Sequence, residues 1–127
     1  MKVMVTPHTR ARETIATLTG QSEVIVFATE PSAIEAAVLI TAGANAYVTS
    51  EAELGDAVTA LGLGDTWFSA VAATAVCRLA RLTRDPALHG IAIAARAAAA
   101  GQPWPAACHA AGLTTTQSHL HRLRRRL

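Results

Sequence analysis

Two short runs of β-branched residues, Val3–Val5 and Val24–Phe27, stand on either side of a segment with helical spacing, and this order restricts the fold more than any other feature. Each run is bounded by turn residues, which is the pattern of a strand. A third run, Ala46–Val48, follows a second helical segment. Between the runs, Thr9–Leu18 places Ile15 and Leu18 at helical intervals, and Pro31–Thr41 does the same for Ile34, Ala37, Val38 and Ile40. Pro31-Ser32 suits a helix start, and Gly20 and Gly43 fall where a left-handed residue closes a helix. Another helix, Glu51–Leu61, opens with Ser50, Glu51 and Glu53, placing acids at the positive end of its dipole. Strands separated by helices lie parallel and are joined by right-handed crossovers. The pattern predicts an α/β unit with a small three-stranded parallel sheet and helices packed on it.

Gly62, Gly64 and Asp65 interrupt this order, and Trp67–Leu82 reads as one long linker helix with Phe68, Val71, Ala75, Leu79 and Leu82 along its apolar stripe. From Asp85 the organisation changes to helices alone. Pro86–Ala100 is Ala-rich, Gly101-Gln102-Pro103 is a turn, and Pro105–Ala111 is a second short helix. Thr114–Leu127 forms the last, with Thr116, Leu120, Leu123 and Leu127 on its apolar side. Gly112 joins these two as a tight turn, the pattern of a helix-turn-helix. Trp104, between two prolines, is expected to plug the small core there. The division is an α/β unit over 1–66, a linker helix over 67–84 and an all-α helix-turn-helix unit over 85–127.

Charge divides along the same line. In the 127-residue chain, residues 1–76 carry Lys2, Arg10 and Arg12 against eight acids, whereas the remainder carries eight arginines against Asp85 alone. A basic second half predicts an anionic partner. The 29 alanines and an aromatic content of 4% predict a thin, largely helical core. MKVMV is too short for a signal-peptide core and no apolar run approaches a membrane span, so the expectation is a cytoplasmic protein without membrane contact. Cys77 and Cys108 lack metal-ligand spacing. His119 and His121, two apart on a helix, point away from each other and cannot chelate together with Cys108 or His109. Neither a nucleophile with a supporting base nor a complete phosphate-binding loop is present, so no enzyme, metal or cofactor is expected.

Several segments resemble response regulators of the NarL/FixJ type, a receiver domain followed by a LuxR-type helix-turn-helix. Ala42-Gly43-Ala44-Asn45-Ala46-Tyr47-Val48 is similar to the family's AGA-x-GY-L segment at the fifth receiver strand, and Gly64–Val71 to its passage into the linker helix. Ser118-His119-Leu120-His121-Arg122-Leu123 resembles the THLSRI recognition-helix core, Leu82-Thr83 its opening LT, and His8 with Arg12-Glu13 the stretch after the first strand. The family's second and third strands have no counterpart, nor does its phosphoacceptor Asp. Its acidic pair falls on Thr6 and Pro7, its switch hydroxyl on Ala28 and its Lys on Ser50. Holding Mg²⁺ and accepting a phosphoryl group both need carboxylates, so the resemblance implies an atypical regulator that is independent of phosphorylation.

The resemblance and the basic last helix together predict a transcriptional regulator that binds double-stranded DNA as a homodimer. With the apolar stripe turned inward, Thr114, Ser118, His121, Arg122 and Arg125 face outward, flanked by Thr115, Arg124 and Arg126. Arginines of this kind contact guanine edges and phosphates, and Thr and Ser position phosphates. The family's dimer face corresponds to Ile34–Thr41, Tyr47 and Ala52–Leu61, with Ile34, Val38, Tyr47, Leu54, Val58 and Leu61 as contact residues. An interaction module that heterodimerises with a full-length regulator, without touching DNA, is the alternative.

Overall fold

The computed structural model describes residues 1–18 and 22–127. Its elements follow in the order β1 (Lys2–Thr6), α1 (Ala11–Leu18), β2 (Val24–Ala28), α2 (Ala33–Ala42), β3 (Ala46–Val48) and α3 (Glu51–Gly62). The second half adds β4 (Trp67–Phe68), α4 (Ala70–Thr83), a 3₁₀ turn (Pro86–Leu88), α5 (His89–Ala99), α6 (Trp104–Ala110) and α7 (Thr116–Arg126). The protein is α/β, with one parallel sheet in the order β1-β2-β3-β4. Gly20 lies outside the described residues.

Local chemistry explains where these elements begin and end. The Ser32 hydroxyl accepts the Glu35 N–H at 3.3 Å to cap α2, and Ser50 does the same for Glu53 at the start of α3. Gly43 closes α2 at φ 133°, a conformation that a Cβ would strain. Its N–H reaches back to the carbonyls of Leu39 and Ile40. β2 is apolar throughout because both its faces are covered, whereas β1, at the edge, buries only Met4 and Thr6.

The sheet has four strands where three were expected, because Trp67 and Phe68 leave the predicted helix to pair with Ala46 and Tyr47. Pairing sends the two rings to opposite faces. Phe68 enters the large core with α1, α2 and α4, while Trp67 packs with the smaller cluster of Ile25, Ala46, Val48, Ala57 and Leu61 beneath α3. A helix would have set the two rings only about 100° apart. The same partition places α2 and α3 on opposite faces although the chain steps across the sheet in one direction. The β2–α2–β3 and β3–α3–β4 crossovers therefore have opposite hands, and the expected uniform right-handedness fails at one of them. A strand as short as β4 carries little of the twist that enforces that rule.

One apolar cluster runs from Met4 in β1 to Leu123 in α7, and α4 lies inside it. The expected stripe of this helix is corrected: Leu82 is 74% exposed, and the buried side is Ala72, Ala73, Ala75, Val76, Cys77 and Ala80. So many alanines let α2 and α5 approach α4 closely from two directions. α6 packs on α5, and α7 packs chiefly on α4 and the 3₁₀ turn. Fully buried Ile15, Ile40, Leu120 and Leu123 each contribute roughly 1.5–3 kcal/mol.

The expected dimer face does not form one surface. β4 covers the edge of β3, Tyr47 is fully buried and Leu61 is 2% exposed, so both belong to the core. Leu54 is half-buried against the smaller cluster. Ile34 and Val38 remain exposed on α2, and Val58 on α3, across the sheet from them.

Candidate nucleic-acid interface

α7 is held by its ends. It begins at Thr116, two residues later than expected, after Thr115 takes a left-handed conformation (φ 49°) and Gly112 another (φ 75°). Thr116 is buried, and its hydroxyl accepts the Thr66 N–H at 2.9 Å and shares a 2.8 Å hydrogen bond with the Thr66 hydroxyl. The Trp104 indole N–H donates to that Thr66 oxygen at 3.2 Å, and its ring meets Phe68 edge-on with centroids 5.0 Å apart. The Thr116 N–H donates to Asp65 Oδ1 at 3.1 Å, supplying a cap that Thr115 does not provide. Gln117 Nε2 reaches the Asp65 carbonyl at 3.1 Å and the Leu61 carbonyl at 3.4 Å.

At the other end, Arg124 donates from Nε to the Ile40 carbonyl at 2.8 Å and from Nη2 to the Ala44 carbonyl. These carbonyls close α2, where the helix dipole favours a cation. Burial brings the guanidinium down to about 10, so it stays charged at neutral pH. Arg124, expected at DNA, is thus turned inward. Leu61, Asp65, Ile40 and Ala44 all precede strands, so α7 runs across the N-terminal ends of β3 and β4.

The opposite end of the sheet is closed by a hydrogen-bond network around Glu35. Glu35 Oε1 accepts from the Thr6 and Tyr47 hydroxyls, both at 2.9 Å, and Tyr47 Oη accepts the Ser32 N–H at 3.2 Å. Burial, reinforced by Glu35, pushes the phenol up to about 12. Among the described residues, no group of three His, Cys, Asp or Glu side chains is placed to hold a metal ion, and no helix is long and apolar enough to cross a membrane. Both cysteines are buried and free.

The outward side of α7 keeps most of the expected residues. Thr114, Thr115, Ser118, His121 and Arg125 are exposed. The Ser118 hydroxyl donates to the Thr115 carbonyl at 2.9 Å, and that of Thr115 to the Thr114 carbonyl at 2.8 Å. Arg122 is 38% exposed and pairs with Asp85, Nε to Oδ2 at 2.9 Å, while Arg126 meets the same oxygen at 3.0 Å. The hydrogen bond from Arg122, helped by the Ala87 N–H, lowers the Asp85 carboxyl to about 2, and Asp85 in turn raises Arg122. Half of the charge on this pair of arginines is therefore answered within the chain.

A second arginine group went unread in the sequence. Arg78 and Arg81 of α4 and Arg96 of α5 line one hollow with Thr74 and Cys77, and no acid borders it. Arg81 continues into a neighbouring hollow with Arg84, Asp85 and His89. Asp85 then leads to Arg122 and Arg126, which border a third with Arg125. Seven arginines thus form a belt across α4, α5 and α7 around a single acid. The i, i+3, i+6 spacing of Arg78, Arg81 and Arg84 was a readable signal, but its meeting with Arg96 and α7 depends on tertiary packing. No family model matches this chain, and neither does any curated protein or solved structure.

Proposed function

We propose that this protein is a DNA-binding regulator of transcription, an atypical relative of NarL/FixJ regulators that acts without phosphorylation, and that the arginine belt is its contact with the duplex. The observation that carries the proposal is the belt itself: Arg78, Arg81, Arg84, Arg96 and Arg125 have no acidic partner among the described residues. Five unanswered guanidinium groups along about three helices match a row of phosphates better than they match a small anion. Ser118, His121 and Arg125 stand outward on α7, where they address base edges once the belt has fixed the orientation. The succession of α6, Gly112 and α7 supports a helix-turn-helix reading, in which we assign α7 the recognition role.

A homodimer belongs to the same proposal, with two copies placing two α7 helices on neighbouring half-sites. Its surface moves from the expected face, whose exposed residues are split between the two sides of the sheet, to β1, which pairs only with β2 and exposes Val3 (49%) and Val5 (55%) because α3 does not reach over it. That same open strand favours the second reading, a module that pairs with a full-length regulator. The two readings part in one experiment, fluorescence anisotropy of a labelled duplex combined with a mass measurement of the free protein. Saturable duplex binding that Arg125→Ala weakens supports the first. Absence of duplex binding at low salt, whatever the mass, overturns it.

A further inference from the structure

A cavity of about 660 Å³ lies between the end of α3, β4, α6 and the approach to α7, and neither the sheet chemistry nor the arginine belt uses it. Its volume is that of a site for a small organic molecule. The chain's two tryptophans, Trp67 and Trp104, both line it, together with Leu63 and Leu113. Leu63 is 68% exposed at its rim, an apolar side chain left uncovered beside an apolar hollow.

Its charge is of one sign. Asp56 and Asp65 are the acids in the lining, and no Lys or Arg borders it, although the chain as a whole carries a net +2. The Asp56 carboxylate has no hydrogen-bond or ionic partner among the described residues, and only one carboxylate oxygen of Asp65 is engaged, by the Thr116 N–H. Cys108 and His109 also face the cavity; burial pushes the Cys108 thiol up to about 12, so it adds no negative charge. A hollow with two carboxylates and no cationic side chain attracts a cation by Coulomb attraction, and its two indoles and two leucines give an apolar or aromatic body a surface to pack on.

We infer that this cavity is a binding site for a small organic cation with an apolar or aromatic body. The site touches Thr114, Thr115 and Thr116, the residues that launch α7, so an occupant braces the start of that helix.

Because both tryptophans line the cavity, intrinsic fluorescence reports occupancy directly. Titration with benzyltrimethylammonium should give a saturable change, and phenylacetate at matched ionic strength should give none. Asp56→Asn together with Asp65→Asn should weaken the ammonium about tenfold, and Asp56→Asn alone about threefold, the size of partly solvated charge pairs. Asp56 lies on the exposed side of α3, so the single variant decides the question even where Asp65→Asn loosens the cap on α7. A response that does not saturate, an equal response to phenylacetate, or an affinity unchanged in Asp56→Asn would overturn the inference.

Discussion

The two sides of α7 use one residue type for opposite purposes. Arg124 points in and closes α2 by donating to the Ile40 and Ala44 carbonyls, while Arg125, its neighbour, points out with no partner among the described residues. Arg122 and Arg126 stand between these extremes, exposed but answered by Asp85. An arginine cluster read along a sequence therefore mixes positions that hold the fold with positions free to meet an anion. Burial and the available acceptors sort them, and both are properties of the packed molecule.

Substitutions along α7 should separate the two roles. The largest loss belongs to Arg124→Ala, which leaves the Ile40 and Ala44 carbonyls without their charged donor and removes the packed stem. We expect a destabilisation of about 2–3 kcal/mol in urea unfolding. Arg124→Lys should recover only part of it, since an ammonium cannot reproduce the fork. Thr116→Val comes next: the Thr66 N–H loses its acceptor in a buried setting, at a cost of about 1–2 kcal/mol in the same assay.

Acid should act on the outward side through Asp85. Its carboxyl lies at about 2 in the folded protein against an ordinary 3.8, so its stabilising effect is complete above about pH 4 and fades as pH falls toward 2. The Tm difference between the wild type and Asp85→Asn should be constant above that window and shrink through it; a difference that grew on acidification would show that Asp85 is not held by its arginines. Arg125→Ala should be the mildest for stability, within about 0.5 kcal/mol of the wild type, and a large loss would erase the distinction from Arg124.

Much of the sheet was legible. Val24–Phe27 became β2 with one residue added, Ala46–Val48 became β3 unchanged, and Ser32, Gly43 and Ser50 act as the helix boundaries their chemistry implied. β4 was not legible, because two residues cannot display a period of two and Trp67-Phe68 also continues a helical spacing. The burial of Tyr47 and Leu61 is not legible either, because only the packed molecule reveals that β4 pairs beside Tyr47 and that Leu61 turns into the cluster beneath α3. The outward residues of α7 followed correctly from its apolar period, with Arg124 as the exception at the flank. The belt beyond α7 was hidden for a different reason: Arg81 and Arg96 are distant in sequence, and the close contact of α4 with α5 brings them together.

The most direct test of the belt is the salt dependence of duplex binding, measured for the wild type and for Arg78→Ala/Arg81→Ala/Arg96→Ala. Each phosphate contact contributes about 0.9 to the slope of log K against log salt, so the triple variant should be shallower by about 2.7, with its fold intact by circular dichroism. A slope unchanged from the wild type would contradict the claim that these three arginines meet the phosphates.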